Sequence, residues 1–183
     1  MRWSEIRARQ PALGVAADRL LIEPGVLLAG TTRRDGTARI SGVEPLVLDG
    51  DLWLSMMSGS AKARDLVRDP RVALNSVITS PSPPAEIKVR GTVRAVTERG
   101  QQERYAAAVQ EQIGWQPVAG QFTLFIVEVA DVTYIGSEAG TGAQHVARWP
   151  SGDEYIRPQL TPTSLGPPQA VSRLLAPDLR PRP

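Results

Sequence analysis

Between residues 26 and 135 the chain is cut by tight-turn signals into short apolar runs, and this punctuation limits the fold more than any other feature. Residues 26–31 (Val-Leu-Leu-Ala-Gly-Thr) form a run that ends at Arg33-Arg34-Asp35-Gly36, a strand-and-hairpin signature with the Arg pair on a solvated tip. Residues 37–48 follow as a second strand, and Asp49-Gly50 turns the chain into a third at residues 52–56. Three sequential antiparallel strands predict a meander. Further strands are predicted at 71–79, 86–96, 122–135 and, more briefly, 145–149. With only short helices between them, an antiparallel barrel or sandwich is expected and a parallel α/β sheet is not.

Within residues 86–96, Ile87, Val89, Gly91, Val93 and Ala95 alternate with Lys88, Arg90, Thr92 and Arg94, and Gly91 marks a bulge or a close backbone approach. Helices are predicted at 3–9 and 14–20, separated by Pro11, as an N-terminal cap over residues 1–20. A two-turn helix at 61–68 starts on Ser60 as N-cap and stops at Asp69-Pro70. Residues 101–113 form an amphipathic helix with Tyr105, Ala108, Val109 and Ile113 inward. Trp53, in mid-strand, belongs in the core, whereas Trp115 in a Gly-Trp-Gln-Pro loop suits a pocket or interface wall. The Ser-Pro-Ser-Pro-Pro run at 80–84 is too long and proline-rich for a tight hairpin and reads as a projecting loop. From Pro158 onward 7 of the 16 prolines occur, so the main domain is expected over 21–157 and an extended or disordered tail over 158–183.

Composition removes whole classes of chemistry. No Cys excludes disulfides, thiolate metal sites and cysteine nucleophiles, and a single His, His145, leaves little for metals or triads, so no metal site is expected. The net charge of +2 belongs to the tail, where Arg173, Arg180 and Arg182 face only Asp178. A neutral remainder does not make a nucleic-acid footprint. No secretory leader pattern and no run of about 18 apolar residues is present, which leads to the expectation of a cytoplasmic protein without a membrane span.

The glycine-rich stretch 136–142 opens no helix and is not a phosphate-binding fingerprint, and no nucleophile elbow exists. The stretch that carries chemistry is 55–64, Ser-Met-Met-Ser-Gly-Ser-Ala-Lys-Ala-Arg. Here a strand ends, Gly59 turns the backbone, and a helix capped by Ser60 begins beside Lys62. Free backbone N–H groups, the helix dipole, a hydroxyl and an ammonium converge on one point, as an anion site requires. An ordinary capped helix with a solvated lysine is the alternative reading.

In order along the chain, Val26-Leu27-Leu28-Ala29-Gly30-Thr31, Asp35-Gly36-Thr37-Ala38-Arg39-Ile40-Ser41, Leu52-Trp53-Leu54-Ser55, Gly59-Ser60-Ala61-Lys62-Ala63-Arg64-Asp65-Leu66, Asp69-Pro70-Arg71-Val72-Ala73-Leu74 and Val89-Arg90-Gly91-Thr92-Val93 resemble the pyridoxamine 5′-phosphate oxidase-like flavin-binding split barrels. The resemblance covers about residues 20–150, and its specificity lies in the shared order of the segments. It implies a mainly β fold with short helices, a six-stranded antiparallel split β-barrel, homodimeric, holding FMN or the deazaflavin F-420 in a groove between subunits. Carried over residue by residue, Lys62 and Ser60 after Gly59 match the phosphate-binding pair, and Arg39 matches a further phosphate ligand. Ile40 and Ser41 would run along the ring edge, Ser55 and Met56 would touch the cofactor from the third strand, and Arg148 with Trp149 would lie near the ring.

The family's oxidase has a basic residue where Glu44 stands and an Arg where Ala61 stands, and its Arg-x-His pair is missing. These departures argue against pyridoxamine phosphate oxidation itself and for an FMN or F-420 oxidoreductase acting on another small molecule. A non-catalytic cofactor carrier, or a heme protein with His145 as its one candidate ligand, is the alternative. The cofactor carries the hydride chemistry, so no side chain is assigned to catalysis, and Lys88 is left as an outer-shell group.

Overall fold

The Asp35-Gly36 signal closes a hairpin between β1 (Leu27–Thr32) and β2 (Ala38–Val43), paired from Leu27↔Val43 to Thr32↔Ala38. In the computed structural model, which describes residues 1–77 and 84–171, the run expected at 37–48 is not one strand. It breaks at Glu44, and Pro45, which has no N–H to extend the ladder, starts β3 (Pro45–Leu48). Asp49 and Gly50, at φ 55° and 81°, make the turn with two positive φ values that joins β3 to β4 (Asp51–Met57). β4 then pairs with β7 (Phe122–Ser137) and not with β2, so the expected meander is interrupted after its first hairpin.

β5 (Arg71–Ser76) joins β1 to β6 (Ala85–Val96), and β6 pairs with β7 along its whole length. The 16-residue β7 is long enough to serve two neighbours on its other edge, β4 along Phe122–Val127 and β8 (Gln144–Trp149) along Val132–Ser137. Every pairing is antiparallel. Among the described residues the sheet holds ten strands in place of the expected six, and it is not closed on itself. The strands without a sequence forecast lie late in the chain. β9 (Glu154–Arg157) pairs with β8, β10 (Gln159–Thr161) and β11 (Ser164–Leu165) form a separate hairpin, and β12 (Gln169–Ala170) pairs with β9. The start of the proline-rich segment is therefore tied to the sheet. Its end, like most of the 80–84 loop, lies outside the described residues.

At Gly91 the β6–β7 register shifts, and a Cβ there would stand 2.2 Å from the Glu128 carbonyl oxygen, so bulge and close approach coincide. Leu27, Leu54, Leu74, Ile87, Val89 and Phe125 form the main core, closed by Trp3, Ile6 and Leu13 from α1 (Trp3–Arg9) and α2 (Pro11–Ala17). A π-helical turn, Asp18–Ile22, carries the chain out of α2. α4 (Arg99–Ile113) starts two residues earlier than expected because the Glu98 carboxylate caps it, accepting from the N–H groups of Gly100 and Gln101. It covers a second core of Trp53, Val96, Tyr105, Val109, Leu124 and Ile126. Val96 is thus buried on the face opposite Val93, while Ala95 is exposed. Among the described residues no helix is long and apolar enough to cross a membrane.

Candidate functional site

α3 (Ala61–Arg68) begins on Ser60, whose hydroxyl accepts from the Ala63 N–H at 3.4 Å. Ala61, Arg64, Asp65 and Arg68 recur at helical spacing and share one face. That face meets Arg39 of β2 and Arg33, Arg34 and Asp35 of the β1–β2 hairpin tip around a cavity of about 780 Å³. The tip arginines, expected to be simply solvated, are part of this wall. Five guanidinium groups stand against two carboxylates there.

Both carboxylates are already engaged inside the protein. Asp35 accepts from the Thr37 N–H and hydroxyl. Asp65 is 4% exposed and accepts from Arg39 Nε at 2.6 Å, Thr31 Oγ1 at 3.0 Å and Arg68 Nη2 at 3.3 Å. Burial alone pushes the Asp65 carboxyl up, but the three hydrogen bonds and the Arg39 charge outweigh it and hold it below the ordinary aspartate range. Arg64 and Arg68 also donate to the carbonyls of Gly59 and Thr32. Basic donors are left in excess around the cavity, the condition for holding a phosphate or another anion.

The residues singled out from sequence fall into three groups. Arg39 lines the arginine cavity. Lys62 lies in the first turn of the same helix, but its Nζ makes a solvent-exposed bond to the Gly42 carbonyl at 2.7 Å, while two of its N–H donors are left over. Gly59 takes φ +67°, a value favourable to glycine, just before the cap, and Ser41 is half-buried in β2. Ile40 faces the other side of β2 and is 72% exposed, in a groove of about 960 Å³ whose lining includes Leu28, Lys88, Arg148 and Trp149. Trp149 is buried, Arg148 lies 6.0 Å from the Tyr155 ring centroid, and Lys88 pairs with Glu86 at 2.9 Å.

Ser55 and Met56 belong to neither. They line a third cavity, of about 580 Å³, beneath α4, where Ser55 hydrogen-bonds Tyr105. One chain therefore does not bring all the candidates to one point. His145 sits on β8 with its Nε2 buried and, among the described residues, without a hydrogen-bond partner. Among the described residues no cluster suited to a metal ion occurs. Sequence reasoning missed Asp65, Arg64, Arg68 and the hairpin arginines as one constellation. The 61/64/65/68 spacing was visible, but nothing local said which face of α3 would meet the hairpin.

A family model described as pyridoxamine 5′-phosphate oxidase matches residues 15–136. No curated protein matches the chain. Among solved structures, PhzG from Burkholderia lata 383, in complex with tetrahydrophenazine-1-carboxylic acid, aligns over 92% of both chains at 13% identity and a TM-score of 0.59. A NimC/NimA family protein from Clostridium acetobutylicum aligns over 79% of this chain and 97% of its own, at 15% identity and a TM-score of 0.56. An F420 reductase aligns over 63% of this chain and 94% of its own, at 18% identity and a TM-score of 0.50. At these identities the neighbours establish the fold.

Proposed function

Since the chain belongs to the pyridoxamine 5′-phosphate oxidase family, we propose that it is a homodimeric oxidoreductase that binds FMN or the deazaflavin F-420 and passes a hydride between that cofactor and a small molecule. The observation that carries the reading is the arginine cavity at α3, in which both carboxylates are consumed internally and guanidinium donors remain for a ligand phosphate. The similarity of the fold to an F420 reductase and to PhzG bound to tetrahydrophenazine-1-carboxylic acid supports the same class of chemistry.

The donor set fits a phosphate-bearing cofactor. Arg39, Arg64 and Arg68 neutralise the phosphate, and Asp65 keeps the Arg39 and Arg68 guanidiniums in place. The family's basic residue at position 61 is absent, but Arg64 and Arg68, one and two turns along the same face, supply charge to the same cavity. Lys62, anchored on Gly42, adds an ammonium where the helix N–H groups emerge. When bound, the isoalloxazine or deazaflavin ring supplies the hydride acceptor or donor. The chain's task is to bind, orient and exclude water, and the exposed apolar face around Leu28 and Ile40 is suited to covering a flat ring between two subunits. The departures at Glu44 and Ala61 speak against pyridoxamine phosphate as the substrate.

The test is titration of the purified full chain with FMN and with F-420, followed by visible absorption and fluorescence. Saturable binding of one of them is expected, and reduction by a candidate donor would then separate a reductase from a carrier. Failure to bind either cofactor would overturn the reading.

A further inference from the structure

We propose that the cavity between β3, β4 and α4 binds an apolar organic cation, with Glu44 as its counterion. The cavity measures about 580 Å³, within the usual range for small-molecule sites. Its walls are largely apolar and aromatic, including Met57, Tyr105, Trp115, Val118 and Phe122, with Ser55 and three glutamines, Gln112, Gln116 and Gln121, as the neutral polar lining. Among all its lining residues Glu44 is the single charged one.

Three features point to a ligand. First, large apolar side chains at the rim are left open to solvent, with Met57 81% and Trp115 61% exposed, a concentration that isolated surface residues do not explain. Second, no hydrogen bond or ion pair within the described residues engages the Glu44 carboxylate. A neutral apolar ligand would strip water from that charge without replacing it, whereas a cation restores a partner. Third, Trp115 presents an exposed ring at the rim, whose face attracts a cation, while Tyr105, buried against Trp53 and Phe122 at centroid separations of 6.1 and 5.7 Å, gives the wall a fixed apolar backing.

Charge separates this cavity from the other two. The arginine cavity repels cations, and the groove beside Ile40 carries Lys88, Arg90 and Arg148 against Asp131. A molecule with an apolar body and a protonated amine or quaternary ammonium is therefore sorted to the α4 side. Calling that molecule the substrate rests on the oxidoreductase reading, since Ser55 and Met56 are shared with the proposed cofactor contacts. As a binding site the cavity stands by itself.

Isothermal titration of the full chain at pH 7 with 2-naphthylmethylammonium, 2-naphthylmethanol and 2-naphthoate reads the charge preference directly. The ammonium compound is expected to bind about tenfold more tightly than the alcohol, the size of one charge-assisted contact in a half-open site, with the carboxylate weakest. Glu44→Gln, at an exposed position with no partner to lose, should bring the ammonium down to the alcohol, and Trp115→Ala should weaken all three. Equal binding of ammonium and alcohol by the unmodified protein overturns the proposal, as does a preference that survives Glu44→Gln or an absence of binding by all three. Separate titration with FMN and F-420 keeps the two readings apart, because a lost cofactor with an intact amine preference removes only the oxidoreductase.

Discussion

Arg39 of β2 and Asp65 of α3 are joined by a 2.6 Å Nε–Oδ2 bond across the gap where the helix meets the hairpin. Thr31 and Arg68 donate to the same carboxylate, so one buried side chain ties β1, β2 and the end of α3 into a unit. The pair is both structural and, in the proposed function, the support that aims two guanidiniums at a ligand.

Asp65→Ala removes the acceptor and leaves its donors without a partner, and a loss of about 3 kcal/mol is expected, at the low end for a broken buried pair because Arg39 is partly solvated. The pH dependence has a definite sign. The folded-state carboxyl is held below its ordinary range, so its contribution is complete above the unfolded aspartate value of about 3.9 and fades as the pH falls through the lower folded value. Asp69, held at about 2 chiefly by hydrogen bonds from Arg71, titrates in both proteins. Denaturant unfolding from pH 7 to pH 2 should therefore show a gap between wild type and Asp65→Ala that narrows below about pH 4. A gap that stays constant over that range would contradict it.

Lys62→Ala is expected to weaken cofactor affinity about tenfold, the scale of one charge-assisted bond to phosphate, and Arg64→Ala by a similar factor. Arg64 is exposed and Lys62 half-buried, and each is bonded in the protein to a backbone carbonyl in an exposed contact, so melting temperatures should hardly move. Dissociation constants from flavin fluorescence quenching, measured beside thermal melts, distinguish a lost ligand contact from a damaged fold.

Gly91→Ala should cost roughly 1–3 kcal/mol, because the new Cβ would press on backbone and not on a movable side chain. Its position lies 2.2 Å from the Glu128 carbonyl oxygen, whereas at Gly42 a Cβ meets only the Val26 side chain at 3.6 Å. Gly42→Ala is thus the control, and urea midpoints of the two variants should differ clearly in that order.

Ile40→Asp tests the proposed subunit contact. Ile40 is 72% exposed beside Leu28 on an apolar strand face, and a carboxylate there would have to be desolvated in a dimer. Sedimentation equilibrium should give a dimer for the wild type and a monomer for the variant. A monomeric wild type would remove the homodimer from the proposal.

Much of the architecture was readable residue by residue. Asp35-Gly36 and Asp49-Gly50 announced their turns, Ser60 its helix, and Gly91 its bulge, because each of these is a property of a few adjacent residues with fixed backbone demands. The family could be read from the order of those same segments. The break at Glu44-Pro45 was also local, yet the apolar character of 37–48 concealed it.

Local signals were enough for the first hairpin, the Asp49-Gly50 turn, the long strands β6 and β7 and the capped helix with its serine and lysine, but not for the break at Pro45 or for β9–β12. Long-range packing set the rest: β4 pairs with β7, the hairpin tip and α3 share one arginine cavity, and Ser55 and Met56 line a different cavity from Ile40, Arg148 and Trp149. The difference is one of range. Turn and cap energies depend on neighbouring dihedral angles, whereas the partner of a strand is set by which pairing buries the most apolar surface across some seventy residues of intervening chain.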